Sequence, residues 1–258
     1  MSRRVSAASL GRVIEELVRR PGGGPAPRGL PCFGLESSSG TGSHLLDALA
    51  AHGIFRKYET VLDLAGGIGG TGRWLARRLG CTAVVTADTA ATAVAGARLT
   101  RLARLRGQVA HVPAHPGALP FGAGRFTHVW AIEVLTDLAD VHAALVEVFR
   151  VLRPGGHIAV QELAPAGGDP MGSRSGRPVV TARAWRDALV AAGFVHVVVR
   201  ETAEVAEHSA QVSAARQQLA ARLTVAAEGA SEAEARRRLG DALAAGRLRV
   251  AQLVARRP

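Results

Sequence analysis

The stretch VLDLAGGIGG at positions 61–70 decides the fold. An apolar run of β character meets a glycine cluster, TGRWLARRLG (71–80) follows with the apolar spacing of a helix, and TAVVTAD (82–88) is a second apolar run that ends in an acid. Strand, glycine turn, helix, strand and acid in this order are how an α/β domain holds a nucleoside. Glycine lets the backbone turn sharply and approach the ligand, and the acid accepts hydrogen bonds from both ribose hydroxyls. A glycine cluster alone does not say which nucleoside. The glycines stand at Gly66, Gly67, Gly69, Gly70 and Gly72, and the discriminating detail is Asp63, an acid inside the strand end that precedes them. A carboxylate there repels a pyrophosphate and suits a ligand that carries an amino group.

Outward from this stretch, strand and helix patterns alternate. Strands are expected at 60–65, 82–88, 108–112, 126–132, 156–163, 194–201 and 247–255, and helices at 71–79, 91–106, 139–152 and 181–192. Such alternation implies an α/β fold, a doubly wound and largely parallel Rossmann-like sheet with helices on both faces. Residues 1–43 read as an appendage: an amphipathic helix over 9–20, the breaker-rich flexible linker PGGGPAPRGLP, and SSSGTGS capping a helix through HLLDALAAHGI. Residues 44–258 form the domain proper. Within it, 203–245 is a helical insertion of two helices, the second starting at Ser231 with Glu234 three residues on, a capping-box pattern. The insertion either roofs a substrate cleft or covers one sheet face.

With 258 residues, 48% of them hydrophobic, the chain can bury one sizeable core. The formal charge of +11 invites a nucleic-acid reading. The excess is almost all arginine, Lys57 being the single lysine, and the arginines are scattered through helices rather than clustered, which disfavours that reading. Cys32 and Cys81 make neither a disulfide framework nor a metal site. Cys81 opens a strand and reads as a small core residue, and a reducing cytoplasm fits. No apolar run approaches the roughly 18 residues of a membrane span, and the arginines near the start are not followed by an apolar signal core. A transit peptide is the weaker alternative for that start.

The segment resembles motif I of the class I S-adenosylmethionine-dependent methyltransferases, a strand ending in D-x-G-x-G-x-G. Asp88 ends the second strand where that family keeps its ribose acid. Leu119, Pro120 and Phe121 before the fourth strand, and Leu152, Arg153, Pro154, Gly155 and Gly156 before the fifth, resemble later motifs. The end GRLRVAQLVARRP is similar to the family's last, antiparallel strand, so the resemblance runs from Leu45 to the C-terminus and implies seven strands. It implies S-adenosyl-L-methionine as cofactor, with Ala65, Gly66, Gly67 and Gly69 around the methionine part, Asp63 near its amino end and Asp88 with Thr89 at the ribose. Asp63 has an alternative as a cap of the following helix, and Asp88 as a solvated strand-end acid.

Departures from the family pattern matter as much. At the position of the acid that binds the adenine amino group stands His115, after Ala114, and Pro116 follows with no N–H to donate to the base. Either a ring nitrogen of His115 accepts the bond or a neighbouring backbone group substitutes. Ala65 replaces the first motif glycine, a mild change if its φ is negative. Ile132 and Glu133 end the fourth strand at the lip of the cleft, and Glu133 resembles the acid found there in ubiquinone-biosynthesis-like enzymes, where it would orient an acceptor or take its proton. Its alternative is a cap of the next turn. Two histidines found just beyond in related enzymes are here Thr136 and Asp137, which leaves His44, His142 and His208 as other bases, each better read as an ordinary surface or helix residue. No motif of nucleic-acid methylating enzymes appears, so the expected acceptor is a small molecule, with oxygen, nitrogen and carbon open. The alternatives are an RNA or protein methyltransferase and a noncatalytic methyltransferase-like module. No metal is expected, and a homodimer is compatible with the reading.

Overall fold

The computed structural model describes residues 43–52, 59–167, 171–173, 175–203 and 230–258. The expectations for the helix over 9–20, the proline–glycine linker, Cys32, His208 and the first helix of the late insertion lie outside the described residues, as does the side chain of His44.

In chain order the elements are α1 (Ser43–His52), β1 (Thr60–Asp63), α2 (Gly70–Leu79), β2 (Thr82–Ala87), α3 (Ala90–Leu102), β3 (Val109–Pro113), β4 (Phe126–Ile132), a 3-10 turn (Leu135–Asp137), α4 (Val141–Val151), β5 (Leu152–Pro165), α5 (Ala182–Ala191), β6 (Val195–Thr202), α6 (Ala230–Ala244) and β7 (Leu248–Arg256). They build one seven-stranded sheet in the order β3-β2-β1-β4-β5-β7-β6. Strands β3 to β5 pair in parallel, and β7 runs antiparallel between β5 and β6. The strand order reverses between β1 and β4, the position where a doubly wound sheet opens a crevice at its carboxyl ends.

Successive strand residues point to opposite faces, so the apolar runs feed two cores. Leu62, Val129, Ile158 and Leu253 pack with Leu145 and Val148 of α4 and Trp185 and Leu189 of α5. On the other face Val61, Trp130, Ala159 and Val254 meet Leu46 and Leu49 of α1 and Trp74 and Leu75 of α2, with Cys81 buried among them as expected of a small core residue. Thr89, Asp140 and Thr181 each accept a backbone N–H at the start of α3, α4 and α5. These caps are local and visible in sequence.

Most element boundaries differ from the sequence expectation by one or two residues, and α3 ends at Leu102 rather than at 106. β5 starts at Leu152, four residues before Gly156, because Leu152 pairs with Phe126 while Gly155 N–H donates to Arg257 O (3.0 Å) and Arg257 N–H to Gly156 O (2.9 Å). The proline–glycine segment thus belongs to the sheet. α6 includes Ala230 as well as Ser231, and Glu234 takes the Arg237 guanidinium at 2.7 Å. The Leu119-Pro120-Phe121 segment is fastened to α4: Glu147 accepts Leu119 N–H (2.7 Å), and Arg150 donates to Leu119 O and Phe121 O (3.0 and 2.7 Å). The Arg150 hydrogen bond holds the Glu147 carboxyl below its usual range.

Candidate cofactor crevice and acceptor cleft

The glycine turn crosses from β1 to α2 above a buried acid. Asp63 is 1% exposed, and its Oδ2 accepts Gly72 N–H at 2.8 Å, which satisfies one of the orphan donors in the first turn of α2. The helix-capping alternative is therefore what this carboxylate does. It also explains Gly66, where a Cβ would lie 2.3 Å from Asp63 Oδ2. Thr86, which carried no signal in sequence, is the second anchor: its hydroxyl accepts Ala65 N–H (2.7 Å) and its carbonyl Gly67 N–H (3.2 Å).

Ala65 has φ +48°, so the condition under which its replacement of glycine would be mild is not met. An L-residue in the left-handed region brings Cβ too close to the following carbonyl. Gly69 (φ +81°) lies over His111, whose Cε1 would sit 2.4 Å from a Cβ there. His111 shares a 2.8 Å hydrogen bond with Thr100 through Nε2, while Nδ1 is buried with no partner among the described residues. Burial, reinforced by the Arg73 charge, pushes the ring down to about 4. Arg73 is fully buried and donates to Ile68 O, a carbonyl of the turn itself.

At the next strand ends the chain presents free groups. Asp88, just past β2, is exposed and makes no hydrogen bond or ion pair among the described residues, while Thr89 caps α3 by accepting Thr92 N–H at 3.1 Å. Ala114 N–H bonds Ala87 O (2.9 Å), setting His115 beside the end of β2. There His115, Pro116, Gly117 and Ala118 close a tight turn: Ala118 N–H donates to His115 O (3.0 Å) and Gly117 N–H to His115 Nδ1 (3.1 Å). With Nδ1 accepting, the neutral ring carries its proton on Nε2 and presents a donor. The acceptor role expected of a ring nitrogen at this position is thus not offered by this tautomer.

The glycine turn and Asp88 fit the methionine and ribose ends of a sulfonium nucleoside. A Cβ at Gly67 would meet nothing within 4 Å, so the turn faces open space. The base end departs from this fit in two ways, the missing N–H at Pro116 and a histidine, His115, where an acid is expected.

Beyond β4 the chain forms a lip. Glu133 takes φ +54°, its N–H donating to Gln161 O at 2.7 Å. The next residues are held by Glu162 of β5: Oε1 accepts Val134 N–H (2.8 Å) and Leu135 N–H (2.6 Å), and Oε2 accepts the Thr136 hydroxyl (2.8 Å). Glu162 thus caps the turn, the role considered for Glu133. Burial pushes the Glu162 carboxyl up to about 8, against these hydrogen bonds and assisted by the Glu133 charge. A cleft opens here, lined by Glu133, Thr136, Asp137, Glu162 and Ser173 on its polar side and by Leu163, Val179 and Leu239. Asp137 accepts the Ser173 hydroxyl (2.9 Å) and Ser175 N–H (3.0 Å). No described histidine lines the cleft, and His142 is exposed on α4. Sequence reasoning missed Glu162, whose only signal was an acid inside the apolar run HIAVQEL.

Sheet order, glycine turn and strand-end acid have the arrangement of the Rossmann-like class I methyltransferase fold. Residues 62–160 match the family model described as a methyltransferase domain. The chain is 33% identical over 123 residues to methyltransferase GfsG of Streptomyces halstedii, covering 47% of this chain and 41% of that protein. It is 41% identical over 108 residues to the demethylmenaquinone methyltransferase of Thermus thermophilus, covering 42% and 48%. The chain thus spans less than half the length of these curated relatives. Among solved structures, the [4+2]-cyclase SpnF superposes with a TM-score of 0.70 at 21% identity, over 99% of this chain and 97% of that one. Geranyl diphosphate C-methyltransferase from Streptomyces coelicolor A3(2), in complex with S-adenosyl-L-homocysteine, gives a TM-score of 0.62 at 18% identity, over 84% and 76%. Among the described residues no helix is long and apolar enough to cross a membrane.

Proposed function

We propose that the chain transfers the methyl group of S-adenosyl-L-methionine to a small-molecule acceptor held in the cleft beside Glu133. One observation carries this reading: the open glycine turn, unpaired Asp88 and the acidic lip lie along the carboxyl ends of neighbouring strands, with a cleft at the lip. The cofactor supplies an already activated methyl on sulfur, so the chain has mainly to align the acceptor and exclude water.

In this reading Ala65, Gly66, Gly67 and Gly69 surround the methionine part, with Asp63 fixing their turn from below. Asp88 and Thr89 meet the ribose, Ala114 and His115 the base, and Ile132 forms the wall next to the reacting centre. Glu133 orients the acceptor or takes its proton. The acceptor atom is oxygen, nitrogen or carbon. Leu239 of α6 lines the cleft and packs with Leu163 and Val179, which supports the insertion as a substrate cover.

A small acceptor is favoured over RNA or protein because the arginines are scattered rather than clustered, and some of them are spent on carbonyls of the fold. Arg77 bonds Ala103 O at 2.8 Å, and Arg257 bonds the carbonyls of Phe149, Arg150 and Leu152 at the end of α4. The second reading, a noncatalytic methyltransferase-like binding module, is favoured by the missing N–H at Pro116. A cytoplasmic location and a homodimer belong to the same proposal. The reduced, buried Cys81 supports the first, and exposed Val198 and Val199 on edge strand β6 support the second.

The test is incubation with S-adenosyl-L-methionine and a panel of small hydroxylated, aminated and activated-carbon acceptors, read by mass. Appearance of a methylated product with S-adenosylhomocysteine is expected. Cofactor binding without transfer to any acceptor would favour the second reading.

A further inference from the structure

We propose that Glu162 is a positioning residue: through three hydrogen bonds it latches the lip that carries Glu133, and the Glu133 charge acts on it across the cleft they share. This deepens the methyl-transfer reading and rests on it for the meaning of the lip.

The geometry is that of a latch rather than of a core ion. Both oxygens of Glu162 are spent on one short segment, Oε1 on the amides of Val134 and Leu135 and Oε2 on the hydroxyl of Thr136. Those three residues directly follow Glu133, whose φ of +54° is a conformation an L-residue keeps only when its surroundings enforce it. The Glu133 N–H is held from the same strand, by Gln161 O. β5 therefore grips the lip at consecutive residues, and the carboxylates of Glu133 and Glu162 line one cleft.

Charge surroundings favour a proton on Glu162. Among the described residues the other charged groups lining the cleft are Glu133 at the end of β4 and Asp137 in the 3-10 turn, both acidic. β7 sets Ala251 opposite Glu162, and the walls from β5, the segment before α5 and α6 contribute Leu163, Ser173, Val179 and Leu239, none charged. Burial raises the group to about 8 and Glu133 adds to the rise. A proton on Oε2 is accommodated by reversal of the Thr136 hydroxyl from donor to acceptor, while Oε1 keeps both amides. The latch accordingly holds the lip in either state, and losing the proton adds a second negative charge beside Glu133.

The experiment is a pH titration of the 15N-labelled full chain, following the amides of Val134 and Leu135. In the wild type both resonances should shift together with a midpoint near 8, the value to which Glu162 is raised. Glu162→Gln should keep the two amides protected from exchange and abolish the titration. Glu162→Ala should speed their exchange by at least about a hundredfold, the factor that corresponds to losing a buried hydrogen bond of roughly 3 kcal/mol. Glu133→Gln should lower the midpoint in the otherwise unchanged chain. Amides that do not titrate in the wild type, equal behaviour of the Gln and Ala variants, or a midpoint indifferent to Glu133→Gln would each overturn the proposal. If Glu162→Ala does not fold, the loss of titration in Glu162→Gln and the Glu133→Gln shift still decide it. S-adenosylhomocysteine titrated into the wild type keeps the two claims apart, since failure to bind defeats the methyl-transfer reading and leaves the latch measurement standing.

Discussion

Replacing Ala65 by glycine should stabilise the protein, against the usual effect of that substitution. Ala65 sits at φ +48°, where an L-residue loses roughly 1–2 kcal/mol to the clash of Cβ with the next carbonyl. Glycine removes that clash and, by freeing the unfolded chain, gives back roughly 0.5–1 kcal/mol. The hydrogen bond from Ala65 N–H to Thr86 is a backbone bond and survives. The net gain is about 0.5–1 kcal/mol, which for a chain of this size raises Tm by about 1–4 °C. Gly67→Ala is the mirror experiment: its φ is +58° and an added Cβ meets nothing within 4 Å, so backbone strain alone should destabilise it by about 1 kcal/mol. Urea unfolding with an unchanged m-value reads both. A destabilised Ala65→Gly together with a neutral Gly67→Ala would refute the reasoning.

Asp63→Ala should cost roughly 1–3 kcal/mol in urea unfolding because Gly72 N–H is left buried without its acceptor, and Asp63→Asn should cost less, since the amide oxygen can replace Oδ2; equal costs would count against the capping role. Gly96→Ala puts a Cβ 2.4 Å from His111 Nδ1 and 3.1 Å from Ile68 O, so overpacking should cost roughly 1–3 kcal/mol, and His111→Ala in the same chain should recover part of it. Stability should also depend on pH with two opposed slopes. Glu162, raised from 4.5 to about 8, contributes fully below 4.5 and loses its contribution as pH climbs through 8, whereas His111, lowered from 6.5 to about 4, contributes fully above 6.5 and loses it as pH falls. Between 6.5 and 8 only the Glu162 slope of this pair remains, so unfolding free energy should fall across that window and Glu162→Gln should flatten the fall.

The sheet could be read from the sequence because its central strands, covered on both faces, are uninterrupted apolar runs. What stayed hidden depends on partners far along the chain. Leu152 joins β5 through Phe126 and the C-terminal strand, contacts no local proline–glycine pattern encodes. The sign of φ at Ala65 follows from a turn whose N–H is pinned by Thr86, on the neighbouring strand. Asp63 and Asp88 look alike in sequence, each an acid at a strand end; in the fold one is sealed beneath the turn and the other stands free. Glu162 was passed over because one acid in an apolar strand does not reveal the amides that come to meet it from the lip after β4.

The most direct measurement is a calorimetric titration of the wild type and Asp88→Ala with S-adenosylhomocysteine, and of the wild type with NAD. Saturable binding of the sulfur nucleoside, weakened by roughly 1–3 kcal/mol when the free Asp88 carboxylate is removed, is the expected result. Binding of NAD without binding of S-adenosylhomocysteine would contradict the assignment of this crevice, and an affinity unmoved by Asp88→Ala would take Asp88 out of it.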